Sequence, residues 1–557
     1  MTETKTCRRP PARPLRVVPH LAIALILALL AAGAASAQGG SPCAPISANV
    51  NEVSFADFGT LTEPGAALFG DGSGIVVFTA SPSVGDGDRN GVLGIFVDPD
   101  GQPVGDAFQV NTLTEQDQFE ASVAAAPDGR FVVVWQSDVS PADADSGSIR
   151  GRLFGADGLP RGPDFQINDF TAGNQVAPQV GMADDGSFVV TWESQQSPGD
   201  DSGFSVQARR FDANGNPRAD QFQVNSRTSS TQGAPDVGVA PDGRFVIVFG
   251  SRDSAGSDSN SDSVQARRYA ANGQAQGAEQ QVNVTTQGSQ NRPRVAVDAD
   301  GSYLIVWQSA SSAGSDDQGR SVQARGFLAS GVAAGNEVQV NERTFGNDDL
   351  PDVAPVGGRE FLVVWVSPVE GVVYADGAAR AMNLEGGFLG FEYTVSPSVT
   401  ESVVAGNRAG GSLVASRAIA RDGGIVGQAY SHPCATGDGV TECTEGSSTL
   451  CLNQDRFRAT LFWRDAQGNQ GAGQAVELTP DTGYFWIFDA ANVEVVIKLL
   501  NACGFNDRYW AFIAGLTDVE IDLIVEDTQE SVVRMYESPL GAAFDPVTDT
   551  SAFDTCP

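Results

Sequence analysis

The stretch Phe131-Val132-Val133-Val134-Trp135 is a short apolar run that ends on an aromatic residue, and it recurs through most of the chain. A continuous apolar run of this length is typical of a β-strand that is covered on both faces. The copies follow each other at a spacing of 57 to 58 residues. A fixed period of this size indicates stacked copies of one supersecondary unit. The aromatics that close the copies are Trp135, Trp192, Phe249, Trp307 and Trp365.

Two polar residues recur with the same spacing. An asparagine closes segments of the type Phe-Gln-Val-Asn, and an arginine stands between the apolar run and that segment. Because each occurs once per copy, we expect them to make a repeated structural hydrogen bond. The asparagines are Asn111, Asn168, Asn225, Asn283 and Asn341, and the arginines are Arg152, Arg209, Arg267 and Arg325.

One copy, residues 235–283, contains the signals of four strands. Alternation at 235–240 and the apolar run 245–249 flank the tight-turn pair Asp242-Gly243. A polar loop and a third strand follow, then Asn272-Gly273 and a fourth strand. Four short antiparallel strands in one repeat of this length predict a β-propeller blade.

Seven copies can be counted, from the apolar run Gly74–Phe78 to a degenerate copy at Gly411–Ser416. The seventh copy lacks a fourth strand, and Ile46–Asn51 resembles the missing one. We therefore predict an all-β chain in which residues 43–434 form a seven-bladed β-propeller closed by the N-terminal strand. Cys43 and Cys434 would flank that closing hairpin, which predicts a disulfide between them.

The two ends of the chain differ from the repeats. Residues 1–37 show a basic start, an apolar run and a small-residue cleavage site, which predicts a signal peptide. Residues 435–442 read as a linker, and 443–557 contain at least six strand-like runs, which predicts a small antiparallel β-sandwich. Cys443, Cys451, Cys503 and Cys556 lie in this domain, and we expect the pairs Cys443–Cys556 and Cys451–Cys503.

Charge narrows the range of partners. The chain carries a formal net charge of −35 at pH 7. Such a surface repels phosphate backbones and anionic lipids, which argues against nucleic acid and membrane insertion. We expect an exported protein, extracellular or periplasmic, whose acidity serves solubility.

Catalysis is not favoured by the residue types. After the signal peptide, His432 is the only histidine and Lys498 the only lysine. The residues needed for a hydrolase triad or a histidine metal site are therefore missing from the sequence after the signal peptide. A carboxylate pair for glycoside cleavage stays open, because acids are abundant. Tyr484, Phe485, Trp486 and Phe488 could bind sugar rings, although a core role is the more common use of such residues.

Aspartates at one repeated loop position suggest a cation site. Six residues before the third strand, five copies carry an aspartate, and some carry a second oxygen ligand two residues later. Alternating oxygen ligands suit calcium, whereas aspartate also forms Asx turns, and both interpretations stay open. The candidate ligands are Asp86, Asp88, Asn90, Asp143, Asp145, Asp200, Asp258, Asn260, Asp262 and Asp316.

The repeats, with V-Q-A-R-R-F-D-A-N-G-N and F-V-V-V-W-Q-S, resemble those of uncharacterised secreted bacterial propeller proteins. They are distantly similar to FG-GAP, or integrin-α-like, blades, although the Phe-Gly and Gly-Ala-Pro signatures are missing. That resemblance implies calcium in the loops between strands, with Asp86, Asp88 and Asn90 matching best.

The expected function is that of an exported, non-catalytic binding or adhesion protein. Variable loops on a rigid scaffold commonly carry binding, so a protein or glycan ligand is expected on the face with the long acidic loops. The alternatives are a carbohydrate-active enzyme or calcium-dependent lectin on the same face, and a structural surface protein. Aspartates that converge on the central channel would favour the enzyme, and exposed aromatics on the loop face would favour the lectin.

Overall fold

The structure is a computed structural model, and it describes residues 61–556 with gaps at 82–88, 139–146, 198, 259–260, 317, 370–373, 391, 409, 419–424, 432–442, 444–445, 447, 467–469, 530–531 and 554. The described chain is all-β apart from one helical turn, Cys503–Asn506. The predicted signal peptide, the N-terminal closing strand, Cys43 and Cys434 lie outside the described residues. Within those residues, no helix is long and apolar enough to cross a membrane.

The repeats form small antiparallel sheets in which sequential strands are neighbours, and we call each four-stranded sheet a blade. Five blades are separate sheets: β1 (Leu61–Leu68), β2 (Gly74–Ala80), β3 (Gly91–Val97) and β4 (Pro103–Gln109); β5 (Gln118–Ala125), β6 (Phe131–Ser137), β7 (Ser148–Phe154) and β8 (Phe165–Gln166); β9 (Gln175–Met182), β10 (Phe188–Ser197), β11 (Asp200–Phe211) and β12 (Phe222–Gln223); β13 (Gln232–Val239), β14 (Phe245–Ser251), β15 (Ser263–Tyr269) and β16 (Gln280–Gln281); β17 (Gln290–Val297), β18 (Tyr303–Ser309), β19 (Ser321–Phe327) and β20 (Val338–Gln339).

A six-stranded sheet follows, because one long strand belongs to two units. The 14-residue strand β24 (Tyr393–Gly406) pairs through its first part with β23 (Ala375–Asn383) and through its second part with β25 (Gly411–Ala418). Its first part completes a sixth blade, and its second part begins a three-stranded closing unit. The strands of this sheet are β21 (Asp349–Gly357), β22 (Glu360–Pro368), β23 (Ala375–Asn383), β24 (Tyr393–Gly406), β25 (Gly411–Ala418) and β26 (Ile425–Ser431).

The apolar second strands are the core of the stack. Every residue of β2, β6 and β18 is buried, because both faces of these strands pack against other sheets. Trp135 of β6 lies in one hydrophobic cluster with Val77 of the preceding blade. The first blade also packs against the last unit, since Phe78 shares a cluster with Leu413 and Ile425. The sheets therefore close into a ring.

The C-terminal part forms two five-stranded antiparallel sheets around one hydrophobic cluster. Arg464 links this part to the propeller, because its side chain lies 3.1 Å from Glu342 and Glu342 also pairs with Arg380 at 2.7 Å. One sheet contains β27 (Thr449–Leu452), β28 (Phe457–Arg464), β29 (Gln470–Ala472), β34 (Glu520–Asp527) and β35 (Val532–Ser538), and the other contains β30 (Gln474–Thr479), β31 (Thr482–Trp486), β32 (Val495–Asn501), β33 (Tyr509–Gly515) and β36 (Val547–Phe553).

The expected cysteine pairing in this part is wrong. Cys443 bonds Cys451, and Cys503 bonds Cys556. The reason is local. Cys451 lies in β27, close to the segment that contains Cys443. Cys503 follows β32 and Cys556 follows β36, and these two strands lie on either side of β33, because both pair with it. Two disulfides fit an oxidising compartment such as the extracellular space.

The two disulfides should differ in their contribution to stability. Cys503–Cys556 spans 53 residues and Cys443–Cys451 spans 8. In the chain-entropy picture, serine replacement of the longer pair lowers the free energy of unfolding by about 4 kcal/mol, and of the shorter pair by about 2.5 kcal/mol. Urea denaturation of the two double variants checks this order. An equal or reversed loss would contradict it.

Candidate functional site

The predicted calcium ligands are only partly within the described residues. Asp86, Asp88, Asp143, Asp145 and Asn260 lie outside them. The backbone amide of Asn90 donates to Asp117, and Asp262 accepts from Arg252 at 3.1 Å and from Ser289 at 2.9 Å. The three remaining candidates, Asp200, Asp258 and Asp316, are buried.

Each of these buried aspartates accepts a hydrogen bond from the repeated asparagine of its blade. In the fourth blade, the side-chain amide of Asn283 donates to Asp258 at 2.8 Å, to Gln290 at 3.2 Å and to the Thr285 carbonyl at 3.0 Å. Its carbonyl oxygen accepts from the backbone of Val264 at 2.9 Å. The same aspartate–asparagine contact joins Asp200 to Asn225 and Asp316 to Asn341.

This network gives the repeated asparagines a structural role. It ties the loop before the third strand to the connection between blades, so these segments lie on one face, which we call the loop face. Among the described residues, no group of three His, Cys, Asp or Glu side chains is arranged to hold a metal ion. Five of the predicted ligands lie outside that part of the chain, so calcium stays a prediction.

The repeated arginines also join blades. The guanidinium of Arg209 donates to the carbonyl of Ile167 in the preceding blade at 2.8 Å, and that of Arg325 donates to Val282 at 2.8 Å. Each also lies over the aromatic ring two residues later, Phe211 or Phe327. These contacts are the repeated structural hydrogen bond expected from the spacing.

A different set of polar residues surrounds the central channel near the loop face. The first strands of the blades line this channel, and among the described strands none pairs with the inner edges of the separate four-stranded blades. Carboxylates bind backbone N–H groups at that edge: Glu63 accepts from the Glu120 amide at 2.7 Å, and Glu120 accepts from Ala177 at 3.1 Å. Glu401, in the second part of β24, accepts from the backbone of Glu63. Three glutamates thus follow each other around one side of the ring.

The other side of the ring carries two aspartates with an arginine between them. Asp236, Arg294 and Asp352 hold equivalent positions in β13, β17 and β21, and all three are half-buried. Asp236 accepts from the backbone of Val295 at 2.8 Å, and Asp352 accepts from Val404 at 2.8 Å. Each carboxylate therefore contacts the next strand around the channel.

Burial raises the pKa values of several of these carboxyls. It raises the pKa of Asp352 to about 6, against the opposing effect of Arg294. Burial also raises the pKa of Glu401 to about 7, with a further contribution from the Glu63 carboxylate. Burial is also the main cause that raises the pKa values of Asp236 and Glu120. Carboxyls that titrate near neutral pH suit proton transfer.

The opposite end of the channel is crossed by Arg408. Its guanidinium donates to the carbonyls of Val239 at 2.8 Å and Val297 at 3.1 Å, and it lies 3.5 Å from Asp184. A cavity of about 210 Å³ lies here, lined by the ends of the inner strands. Arg408 therefore narrows the central channel at the end that faces away from the long loops.

Sequence reasoning missed the channel residues. The alternation at 235–240 predicts only that Asp236 lies in a strand, and the equivalent residues in other copies include Ser122, Gln179, Arg294 and Asp352. The available signal was this variation itself: one position of the first strand changes chemistry between copies while its neighbours repeat. Of the C-terminal aromatics, Phe485 is a core residue, as expected, whereas Phe488 is 58% exposed.

No known family model matches the sequence, and no curated protein sequence matches it significantly. Solved structures are similar in fold. Polysaccharide lyase Uly1 is 11% identical with a TM-score of 0.43, covering 68% of this chain and 98% of the lyase. An α-L-arabinanase of Penicillium chrysogenum is 11% identical with a TM-score of 0.40, covering 70% and 99%. A GH93 α-L-arabinofuranosidase of Fusarium graminearum is 10% identical with a TM-score of 0.39, covering 58% and 96%.

This comparison corrects one expectation. The named proteins of similar fold are mainly carbohydrate-active enzymes, and two of them were solved with arabinobiose. The expectation of a non-catalytic binding or adhesion protein is contradicted by this finding, which agrees better with the carbohydrate-active alternative. Likeness at this level of identity concerns the fold, so no activity is transferred from these proteins.

The hydrogen bonds of the repeated asparagines should contribute to the free energy of unfolding. Asn283→Ala would remove two buried hydrogen bonds, the one that Asn283 donates to the Asp258 carboxylate and the one that it accepts from the Val264 amide. Losing such buried partners costs about 2–4 kcal/mol of unfolding free energy. Asn272→Ala, in an exposed turn, is the matched control and should change it by less than about 0.5 kcal/mol. Urea denaturation distinguishes the two, and equal effects would contradict the assigned role.

Asp348 should make the free energy of unfolding depend on pH. It is fully buried, receives hydrogen bonds from Asn341 at 3.0 Å and Trp365 at 3.1 Å, and stands where other copies have glutamine. Burial raises its pKa to about 7. An unfolded aspartate titrates near about 4, so the folded protein keeps a proton that the unfolded chain loses, and stability falls as pH rises from about 4 to about 7.

Asp348→Gln should therefore match the parent protein at pH 4 and exceed its free energy of unfolding by about 2–4 kcal/mol at pH 8. Urea denaturation at both pH values checks this. Asp100→Asn, at an exposed turn, is the control and should show no such difference. A variant that is less stable at pH 8 would refute the assignment.

Proposed function

We propose that this protein is a carbohydrate-active enzyme that cleaves a neutral glycan at the loop-face mouth of the central channel. The observation that carries the proposal is the convergence of Asp236, Arg294 and Asp352, with Glu401 beside them, on that channel. Glycoside cleavage needs two carboxyl groups, one protonated and one ionised. The raised pKa values of about 7 at Glu401 and about 6 at Asp352 supply this difference between pH 6 and 7.

Roles follow from the surroundings of each carboxyl. Glu401, beside the Glu63 carboxylate, is the proton donor to the leaving oxygen. Asp352 supplies the ionised carboxylate, which takes a proton from the water whose oxygen bonds to the anomeric carbon as the glycosidic bond breaks. The positive charge of Arg294 and the Val404 amide both favour the charged form of Asp352. The Asp352 carboxylate contacts Val404, which lies three residues from Glu401 in the same strand. The two groups therefore border one region of the channel.

Charge favours an uncharged substrate. Glu63, Glu120, Glu401, Asp236 and Asp352 surround the mouth, and the positive charge of Arg294 acts on three of them, Asp236, Asp352 and Glu401. The whole chain has a net charge of −35. A uronate-rich or sulfated glycan would be repelled from this mouth, whereas neutral pentose or hexose polymers would not.

The finer architecture is part of the same proposal. Inner strands of six blades and of the closing unit surround the channel, which supports a seven-bladed ring whose last blade receives the segment 46–51. The two C-terminal sheets around one core support a β-sandwich. The signal peptide, the Cys43–Cys434 bond and the FG-GAP-like calcium loops remain predictions of the same kind.

Activity is tested by reducing-sugar release from arabinan, xylan and mixed-linkage β-glucan, with polygalacturonate as the anionic comparison. We expect release from at least one neutral polymer, with a bell-shaped pH profile whose limbs lie near pH 6 and pH 7. Glu401→Gln and Asp352→Asn should each lower kcat at least about 100-fold. Both keep an acceptor for the backbone amide that each carboxylate binds.

Glu115→Gln is the matched control, since this exposed glutamate lies on the same face and should leave kcat unchanged. No release from any neutral polymer, or full activity in both channel variants, would refute the proposal. Release from polygalacturonate alone would refute the neutral substrate.

A further inference from the structure

The outward face of one C-terminal sheet is unusually rich in aromatic residues. Successive side chains of a strand point to opposite faces of the sheet. In β31, β32 and β33 the buried residues therefore face the core, and the residues between them face outward. Phe485, Ile497 and Tyr509 belong to the core, while their neighbours point outward. We call this outward surface the aromatic face, and its residues are Tyr484, Trp486, Lys498, Trp510 and Phe512, with Phe505 at its edge.

The strand register brings these residues together. Thr482 pairs with Lys498, and Lys498 pairs with Phe512, so one row crosses three strands. Tyr484 lies in the outward row on one side of this row, with Val496, and Trp510 lies in the outward row on the other side, with Leu500. Tyr484 and Trp510 are therefore offset by four residues along the strands, about 13 Å, and by two strand spacings, about 10 Å, so the aromatic face is an extended surface that suits several consecutive sugar units of a polymer.

Trp510 is held in place before any ligand binds. Its indole N–H donates to the Asn506 side chain at 3.0 Å, and its ring meets those of Phe505 and Phe512 edge-on at 5.5 and 6.3 Å. Asn506 and Phe505 belong to the helical turn that begins at Cys503, which the disulfide with Cys556 restrains. Phe505 is 81% exposed. A restrained turn thus presents an aromatic ring to solvent.

The polar groups of the face are balanced in charge. The ammonium of Lys498 lies 2.9 Å from Asp481 and 3.0 Å from the Thr482 hydroxyl. Hydrogen bonds from Thr479 and Lys498 lower the pKa of Asp481 to about 2, so the pair stays ionised with no net charge. This neutral patch, in a chain of net charge −35, is complementary to an uncharged ligand that offers hydroxyl groups.

We propose that the aromatic face binds a neutral polysaccharide chain, as a second glycan site that is separate from the central channel. Sugar rings present apolar C–H faces that pack on Trp, Tyr and Phe rings, while their hydroxyls reach the Asp481–Lys498–Thr482 group. The other sheet of this part carries Arg464, which contacts the propeller, so the aromatic face lies on the side away from that contact. Binding here does not depend on the channel chemistry.

The test is electrophoresis of the full-length mature protein through native gels that contain arabinan, xylan or mixed-linkage β-glucan. We expect retardation of the parent protein by at least one neutral polymer. Trp510→Ala should weaken the apparent affinity at least tenfold. Phe505→Ala should weaken it at least threefold, and since Phe505 is largely exposed, this variant keeps the test valid if Trp510→Ala does not fold.

Leu159→Ala, which removes an exposed apolar side chain of the propeller, is the control and should migrate like the parent protein. Unchanged retardation in both aromatic variants would overturn the proposal, as would equal retardation by polygalacturonate. A dimer in light scattering that Trp510→Ala dissociates, without retardation in any gel, would show instead that the face joins two copies of the chain. Retardation without sugar release would refute the proposed catalysis and leave this site standing.

Discussion

A ring of radially arranged sheets leaves the inner edge of every blade without a strand to pair with, and the rest of the structure depends on how this edge is satisfied. Unpaired N–H groups at a sheet edge need acceptors or water. Here the acceptors are side chains of the adjacent blade, such as Glu63 for the Glu120 amide and Asp352 for the Val404 amide. Carboxylates therefore join neighbouring inner strands around a narrow channel, in addition to the apolar contacts that close the ring.

The same constraint creates the chemistry of the channel. A carboxylate held in place by a backbone amide is also removed from bulk water, and burial raises its pKa. Glu401 and Asp352 illustrate the result, since groups that stabilise the inner edge also titrate near neutral pH. A structural role and the proposed catalytic role are thus compatible at these positions. Replacing the carboxyl by an amide keeps an oxygen that can accept the hydrogen bond but removes the group that ionises, which separates the two roles experimentally.

Two surfaces for glycans would suit a protein that acts on long polymers. The channel mouth offers carboxyls, and the aromatic face offers rings with a balanced ion pair. The propeller and the C-terminal part are in contact through Arg464 and Glu342, and Glu342 is also paired with Arg380 of the sixth blade. Binding on one part would therefore keep a polymer near the other. The gain in local concentration depends on a polymer long enough to span both surfaces.

The sequence by itself determined the blades. The apolar second strands, the Asp-Gly and Asn-Gly turns and the repeated asparagines are local patterns, and each acts within one repeat or between adjacent repeats. It also indicated strands in the C-terminal part, including those that carry Tyr484 and Trp510. It did not determine the cysteine pairs, because pairing depends on which strand ends meet. Only the tertiary structure brought Asp236, Arg294, Asp352 and Glu401 together, since they lie on different inner strands and meet only when those strands converge on one axis.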